Sequence, residues 1–162
     1  MKGDSVKRML VAGLALAFVC LASAPANAAS ARPSDPVQDY IDAAMLAEPG
    51  GVQVAPSIVE WGGGTAVLTV ADTESLRAVG SCATGSICVY GSTRLTGAKL
   101  AFTTCSTFST VGLGAAVQSM ANARDSGYAR GYNSVGGLLT TLAPTVSLNS
   151  APVGVAKVSC SA

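Results

Sequence analysis

Catalytic chemistry in this chain would have to come from carboxylates or lysines. The sequence contains no histidine, which excludes Ser-His-Asp and Cys-His nucleophiles, histidine acid–base catalysis and the HExxH metalloprotease site. Asp35, Asp39 and Asp42 have the spacing of one helical face. That spacing is typical of a solvated helix surface, and the alternative is a glycosidase-like carboxylate pair. We favour the solvated surface and predict that the protein is not an enzyme.

The N-terminal residues predict export. Basic residues precede an apolar run over residues 9–24, and Ala26-Asn27-Ala28 has the small-x-small pattern that signal peptidase cleaves. We predict cleavage after Ala28, which removes residues 1–28 together with Cys20. A membrane anchor is the alternative interpretation of the apolar run. The predicted location is secreted, with no membrane association after cleavage.

Four cysteines remain after that cleavage: Cys82, Cys88, Cys105 and Cys160. An even number of cysteines in an exported chain favours a disulfide framework. Zinc is the alternative, but zinc sites favour cysteine pairs two to four residues apart or the support of histidine. We therefore expect disulfides and no metal. Four cysteines permit three pairings, and their positions alone leave the choice open.

The charge balance excludes a class of partners. Of ten basic and nine acidic residues, three basic and one acidic lie within residues 1–28. The remainder is close to neutral and has no basic stripe, so we expect no nucleic-acid partner. Its length suits a single domain with a modest core.

The exported chain is predicted to begin with a short helix and to continue as short strands. Asp35 and Pro36 are helix-start residues, and Pro49-Gly50-Gly51 ends the helix. Tyr40 and Trp61 are predicted to pack in the core rather than to bind a ligand. Strands are predicted over residues 52–54, 58–61, 65–70, 86–90, 98–102, 116–121, 127–132, 137–142 and 153–158, with residues 91–97 as a hairpin loop and 106–113 as a connection. Short strands separated by turn residues favour a Greek-key sandwich.

The stretch Cys82-Ala-Thr-Gly-Ser-Ile-Cys88-Val-Tyr90, followed by Leu95-Thr-Gly97-Ala-Lys-Leu100, carries a family resemblance. It resembles the opening hairpin of the βγ-crystallin-like peptidase inhibitors typified by the Streptomyces metalloproteinase inhibitor. Ser119-Met-Ala-Asn122 is similar to the end of the third strand in that family, and residues 49–70 resemble the segment ahead of this domain in actinobacterial exported proteins. An ordinary hairpin is the alternative.

The resemblance implies a mainly β fold, a βγ-crystallin-like Greek-key sandwich over residues 82–162, with residues 29–81 as a leader that holds a short helix and a few strands. In such a hairpin an aromatic residue, here Tyr90, packs on the folded strands. Gly97 would adopt a backbone angle that a side chain opposes. A second copy of the motif would span residues 128–137.

The resemblance also implies a disulfide pairing and a function. Cys82 would pair with Cys88, as the same spacing does in family members, which leaves Cys105 for Cys160. Calcium-binding members use clustered oxygen ligands where this chain has Gly114-Ala-Ala-Val-Gln-Ser119, so we expect no calcium and no other cofactor. The implied function is inhibition of a secreted protease, with metalloproteases as the first class to test. The alternative is a non-enzymatic exported binding or structural module of the cell envelope.

Residues 143–152 are the predicted protease-contact segment. Prolines fix both ends, and Val146 and Leu148 alternate with polar residues. A stiff extended segment with apolar side chains loses little entropy when it enters a specificity pocket. The alternative is a surface connection or an edge strand with no binding role.

Overall fold

The computed structural model describes residues 35–71 and 82–161; the predicted signal peptide and its cleavage point lie outside these ranges. The helix α1 spans Pro36–Ala47, and a 3-10 turn spans Val111–Leu113. The strands are β1 (Val52–Ala55), β2 (Ile58–Trp61), β3 (Ala66–Thr69), β4 (Ile87–Tyr90), β5 (Lys99–Phe102), β6 (Thr107–Ser109), β7 (Ser119–Asn122), β8 (Ala129–Tyr132), β9 (Leu138–Leu142), β10 (Val146–Leu148) and β11 (Lys157–Cys160).

The described strands form two antiparallel sheets. The larger has the order β1-β2-β3-β5-β4-β7-β10, and the smaller has the order β6-β11-β8-β9. Both sheets contribute to one buried core, which includes Val59, Leu68, Leu100, Met120, Leu142 and Val158. Because a sheet must bury its apolar face against another layer, the two sheets stack as a sandwich. The predicted mainly β sandwich is confirmed.

Helix α1 begins and ends where the sequence predicts. The Asp35 carboxylate accepts a hydrogen bond from the Val37 amide at 2.9 Å, and proline occupies the first helical position. At the other end the Glu48 amide still donates to the Ala44 carbonyl before the chain leaves the helix. Ile41 and Ala44 face the core and are fully buried. The helix is therefore part of the sandwich core.

The first three strands belong to the same sheet as the rest of the chain. Strand β3 pairs with β5 along four residue pairs, from Ala66 with Phe102 to Thr69 with Lys99. The described residues all belong to one compact unit. Strand pairing thus crosses the boundary predicted at residue 82, since β3 of the predicted leader pairs with β5 of the predicted Greek-key domain.

Two successive groups of four strands share one arrangement. In the first group, β4–β7, strand β4 lies between β5 and β7 in the larger sheet, whereas β6 joins the smaller sheet. In the second group, β8–β11, strand β8 lies in the same way between β9 and β11 in the smaller sheet, whereas β10 joins the larger sheet. The segment 128–137, where a second copy of the hairpin motif was expected, contains β8 and the turn that leads into β9.

Two strands lie where the sequence predicted connections or a contact loop. Strand β6 falls within the predicted connection 106–113, and its Phe108 stacks on Phe102 with ring centroids 4.6 Å apart. Strand β10 falls within residues 143–152. Three residues are too few to display an alternating pattern, so tertiary pairing decides these strands. The strands predicted over 116–121 and 153–158 begin later than expected, at Ser119 and Lys157.

Candidate functional site

The acids that could have formed a catalytic pair lie on the surface of α1. Asp35 caps the helix, and Asp39 and Asp42 are exposed. The Asp42 carboxylate accepts a hydrogen bond from the Gln38 side chain at 2.7 Å. Within residues 35–71 and 82–161, no three histidine, cysteine, aspartate or glutamate residues lie together as metal ligands would.

Both disulfides have the pairing that the resemblance implied. Cys82 bonds Cys88 with 5.7 Å between their Cα atoms, and Cys105 bonds Cys160 with 5.4 Å. The first closes a local loop ahead of β4. The second spans 55 positions and joins the connection before β6 to the end of β11. The predicted disulfide framework is confirmed.

The hairpin of β4 and β5 has the two features expected of its sequence motif. Tyr90 is fully buried in a small cluster on the outer face of the larger sheet, with Cys88 and Ala121, and Leu95 packs against it. This burial raises the pKa of Tyr90 to about 12, because the phenolate would lose its hydration. Gly97 has φ of +77°, and a Cβ there would lie 2.7 Å from the Ser92 hydroxyl.

Ser119 fixes the loop of this hairpin from the neighbouring strand. Its hydroxyl oxygen accepts a hydrogen bond from the Leu95 amide at 3.0 Å and donates to the Ser92 carbonyl. Ser119 is fully buried. Ser119 ends the segment 114–119, where the resemblance would place calcium ligands, and its side-chain oxygen holds the hairpin loop instead.

Asn122, the last residue of β7, organises the turns around the start of β8 and the end of β9. It is 1 % exposed, and its side-chain amide donates to the carbonyls of Gly127, Leu142 and Ala143 at 3.1, 3.3 and 3.1 Å. The carbonyls of Leu142 and Ala143 lie at the start of the turn that leads into β10. Asn122 thereby connects the hairpin motif to the predicted contact segment.

The predicted contact segment is an edge strand of the larger sheet. Strand β10 pairs with β7, so that Val146 lies opposite Asn122 and Leu148 opposite Met120. No strand among the described residues pairs with its other edge. Val146 is 45 % exposed, whereas Leu148 packs against the core. The two candidate contact residues are therefore different: Val146 is available to a partner, and Leu148 anchors the strand.

The turn that enters β10 is held in an unusual conformation. Pro144 and Thr145 form its centre, and Thr145 has φ of +59°. A β-branched residue in the left-handed region is strained by about 1–3 kcal/mol and persists only where its surroundings enforce it. Here the Thr145 amide donates to the Arg124 carbonyl at 3.2 Å, and the Val146 amide donates to Ala143 at 3.4 Å.

The far end of the segment is also fixed. The Arg94 amide donates to the Asn149 carbonyl at 2.8 Å, and the Ala151 amide donates to the Gln118 carbonyl at 2.7 Å. Main-chain bonds thus hold the chain on both sides of β10. The segment is preorganised in an extended conformation.

A groove of about 400 Å³ runs beside β10. Its lining combines the disulfide loop, the hairpin loop and the edge strand: Cys82, Thr84, Leu95, Asp125, Val146 and Ser147. Strand pairing explains this arrangement, because Cys88 lies opposite Ala121 and Ala121 opposite Ser147. The Cys82–Cys88 loop and the contact segment are far apart in sequence, and the sheet brings them to one surface. We call it the β10 groove.

A second cavity, of about 230 Å³, lies at the inner face of the larger sheet. Trp61, Phe102 and Phe108 form its walls, and Glu48 lines it as well. The Trp61 ring nitrogen donates to the Glu48 carbonyl at 2.8 Å. Trp61 packs against the core, as predicted, and it also lines this cavity, which we call the aromatic pocket. Sequence reasoning missed the pocket because Phe108 lies in what was predicted as a connection.

Comparisons with protein-family models, with curated proteins and with solved structures find no match to this chain. The described ranges contain no helix that is long and apolar enough to cross a membrane. What the protein does must be inferred from the β10 groove and the aromatic pocket.

Proposed function

We propose that the protein is an exported, proteinase-inhibitor-like protein that presents β10 to a secreted protease. The observation that carries this proposal is the free outer edge of β10, with Val146 exposed on it and the β10 groove beside it. An extended partner can add to such an edge through main-chain hydrogen bonds, while a neighbouring groove selects side chains. The protein acts by binding and needs no catalytic group.

Preorganisation supports an inhibitor over a substrate. The hydrogen bonds at Thr145, Asn149 and Ala151 fix the main chain on both sides of the strand. A segment that is already ordered pays little conformational entropy when it binds. Cleavage would require this segment to leave the sheet, which the same hydrogen bonds oppose.

The framework around the groove supports the same proposal. In each group of four strands the fourth lies beside the first, as in a Greek key, although the third crosses to the other sheet. The two disulfides have the pairing that the inhibitor family implies. They also support export, because disulfides persist in oxidising compartments.

The test is inhibition of a panel of secreted metalloproteases and serine proteases by the chain from residue 29 onward, at near-stoichiometric concentration. We expect inhibition of at least one enzyme, and Val146→Asp should weaken it at least about tenfold, the effect of a charge at a buried contact centre. Val52→Asp is the matched control, because Val52 is an exposed valine on β1, the opposite edge of the same sheet. Leu148 is left unchanged because its replacement would disturb the core.

A non-enzymatic binding or structural module of the cell envelope is the second candidate function. The aromatic pocket favours it, because a protease-binding edge strand has no need of an aromatic cavity elsewhere. Failure to inhibit any protease class, with Val146→Asp and wild-type protein indistinguishable, would contradict the inhibitor proposal and leave this candidate ahead.

A further inference from the structure

The aromatic pocket is built around a row of cross-strand partners. Trp61 on β2 lies opposite Ala66 on β3, and Ala66 lies opposite Phe102 on β5. Because alanine is the small member between two large rings, the row leaves space between them. Phe108 reaches the row from the smaller sheet and stacks on Phe102 with the ring planes 13° apart. The result is a cavity with three aromatic walls.

The indole of Trp61 is held in place and presents its ring rather than its polar atom. Its ring N–H is already bonded to the Glu48 carbonyl. On another side Gly112 lies so close that a Cβ there would be 3.5 Å from the ring. The ring N–H is thus unavailable to a ligand, and Trp61 offers the pocket its aromatic ring, whose face attracts cations through the ring quadrupole.

The charges around the pocket have one sign. Glu48 is the one charged residue among those that line it. Helix α1 ends at this point and has no basic residue in its last turn, so its carbonyl end adds partial negative charge. Both features favour a cation and oppose an anion.

We propose that the aromatic pocket binds a trimethylammonium group. Such a group is a cation with an apolar surface and no N–H to satisfy, which suits aromatic walls with a single carboxylate. The size agrees: an apolar cavity of about 150 Å³ holds benzene, and drug-sized ligands need about 300 Å³ or more. At 230 Å³ the pocket lies between these two values and accommodates a head group of this kind.

Trp61 reports directly on this site, because it is the only tryptophan in the chain. Choline chloride is titrated against sodium chloride of equal ionic strength while the Trp61 emission is recorded. We expect a saturable change with a dissociation constant on the order of 1 mM, reasonable for so small a ligand. The neutral isostere 3,3-dimethyl-1-butanol should bind about fivefold more weakly or worse. Equal or tighter binding of the alcohol, or no saturation by choline, would overturn the proposal.

Two acidic residues give a matched pair of variants. Glu48→Gln should weaken choline binding about fivefold or more and leave binding of the alcohol unchanged. Glu60→Gln is the control, because Glu60 does not line the pocket and should leave choline binding unchanged. Ala66→Leu should fill the space between Trp61 and Phe102 and abolish binding. Equal effects of the two glutamine variants would show that the charge acts at long range and would overturn the assignment to this pocket.

The same head group occurs free and on lipids, and vesicles distinguish the two sources. Saturable choline binding without association to phosphatidylcholine vesicles would support a free small molecule. Association with those vesicles, lost in Ala66→Leu, would support a lipid head group. No response to either would refute the site. The pocket shares no lining residue with the β10 groove, so these outcomes are independent of protease inhibition.

Discussion

The two groups of four strands, β4–β7 and β8–β11, have the same arrangement but different outer faces. Every residue of β4 and β7 is buried, whereas Leu138 at the start of β9 is 56 % exposed. In the first group the Cys82–Cys88 loop and Leu95 lie over the sheet and enclose Tyr90. In the second group a shorter turn over residues 133–137 leads directly from β8 into β9.

This difference shows how one strand arrangement can yield a binding surface or a plain surface. The loops that cover the first group also form one wall of the β10 groove, since Cys82 and Leu95 line it. The second group contributes β10 itself to that groove. The groove therefore exists because the groups exchange their third strands and because only the first carries a local disulfide.

The largest expected effect concerns the disulfide that joins the two groups. Replacing Cys105 and Cys160 with alanine should lower the free energy of unfolding by about 4 kcal/mol, because the bond closes a long loop in the unfolded chain. Replacing Cys82 and Cys88 in the same way should cost about 2 kcal/mol from loop closure. Urea unfolding of both variants measures the difference. A larger loss from the local pair would reverse this ranking.

Asn122 should be the most important polar side chain of the first group. Asn122→Ala removes the buried side-chain donor that three carbonyls share, and we expect a loss of about 3 kcal/mol, since buried unsatisfied groups are costly. The comparison is Asn133→Ala in the second group, whose side chain accepts from Val135 and Gly137 in an exposed turn. That variant should lose only about 1 kcal/mol. Similar losses in urea unfolding would contradict the contrast between buried and exposed turns.

Local patterns predicted the elements whose signals lie within a few residues. The cap at Asp35, the hairpin of β4 and β5 and the positive φ of Gly97 are all confirmed, because each depends on near neighbours. Strand β6 was predicted as part of a connection, and β10 as a contact segment with an edge strand as the alternative. The three residues of each strand gain their partners only when the two groups exchange strands. The β10 groove and the aromatic pocket escaped prediction for the same reason: Val146 and Cys82, or Trp61 and Phe108, meet only through the sheets.

The buried tyrosine of the first group predicts a loss of stability at high pH. Because burial raises the pKa of Tyr90 from 10 to about 12, the folded state holds this proton more tightly than the unfolded chain. The stabilisation is present below pH 10 and is lost as the pH rises towards 12. We expect Tyr90 to lower the free energy of unfolding by about 2 kcal/mol over that window. Tyr90→Phe should remove this part of the fall and leave the part due to Tyr40, whose pKa is also raised by burial.

Lys99, opposite Tyr90 in the β4–β5 ladder, acts in the other direction. Burial lowers its pKa, so the folded state gains stability as the pH rises towards 10.5, the ordinary value for lysine. This gain in stability occurs mainly at pH values below the range in which the contribution of Tyr90 is lost. Urea unfolding at intervals from pH 9 to 11.5 separates the two, and an equal decline in Tyr90→Phe and wild-type protein above pH 10.5 would contradict the role of Tyr90.

The smallest predicted effect compares one glycine from each hairpin. Gly97 and Gly136 both have positive φ, so an alanine at either position costs about 1 kcal/mol in the backbone. At Gly136 nothing lies within 4 Å of the added Cβ, but at Gly97 the Ser92 side chain is 2.7 Å away and must move. We therefore expect Gly97→Ala to lose about 1 kcal/mol more than Gly136→Ala in urea unfolding. Equal losses would mean that the Ser92 side chain moves away without an energetic cost. The hairpin loop would then not be the rigid wall of the β10 groove that we infer.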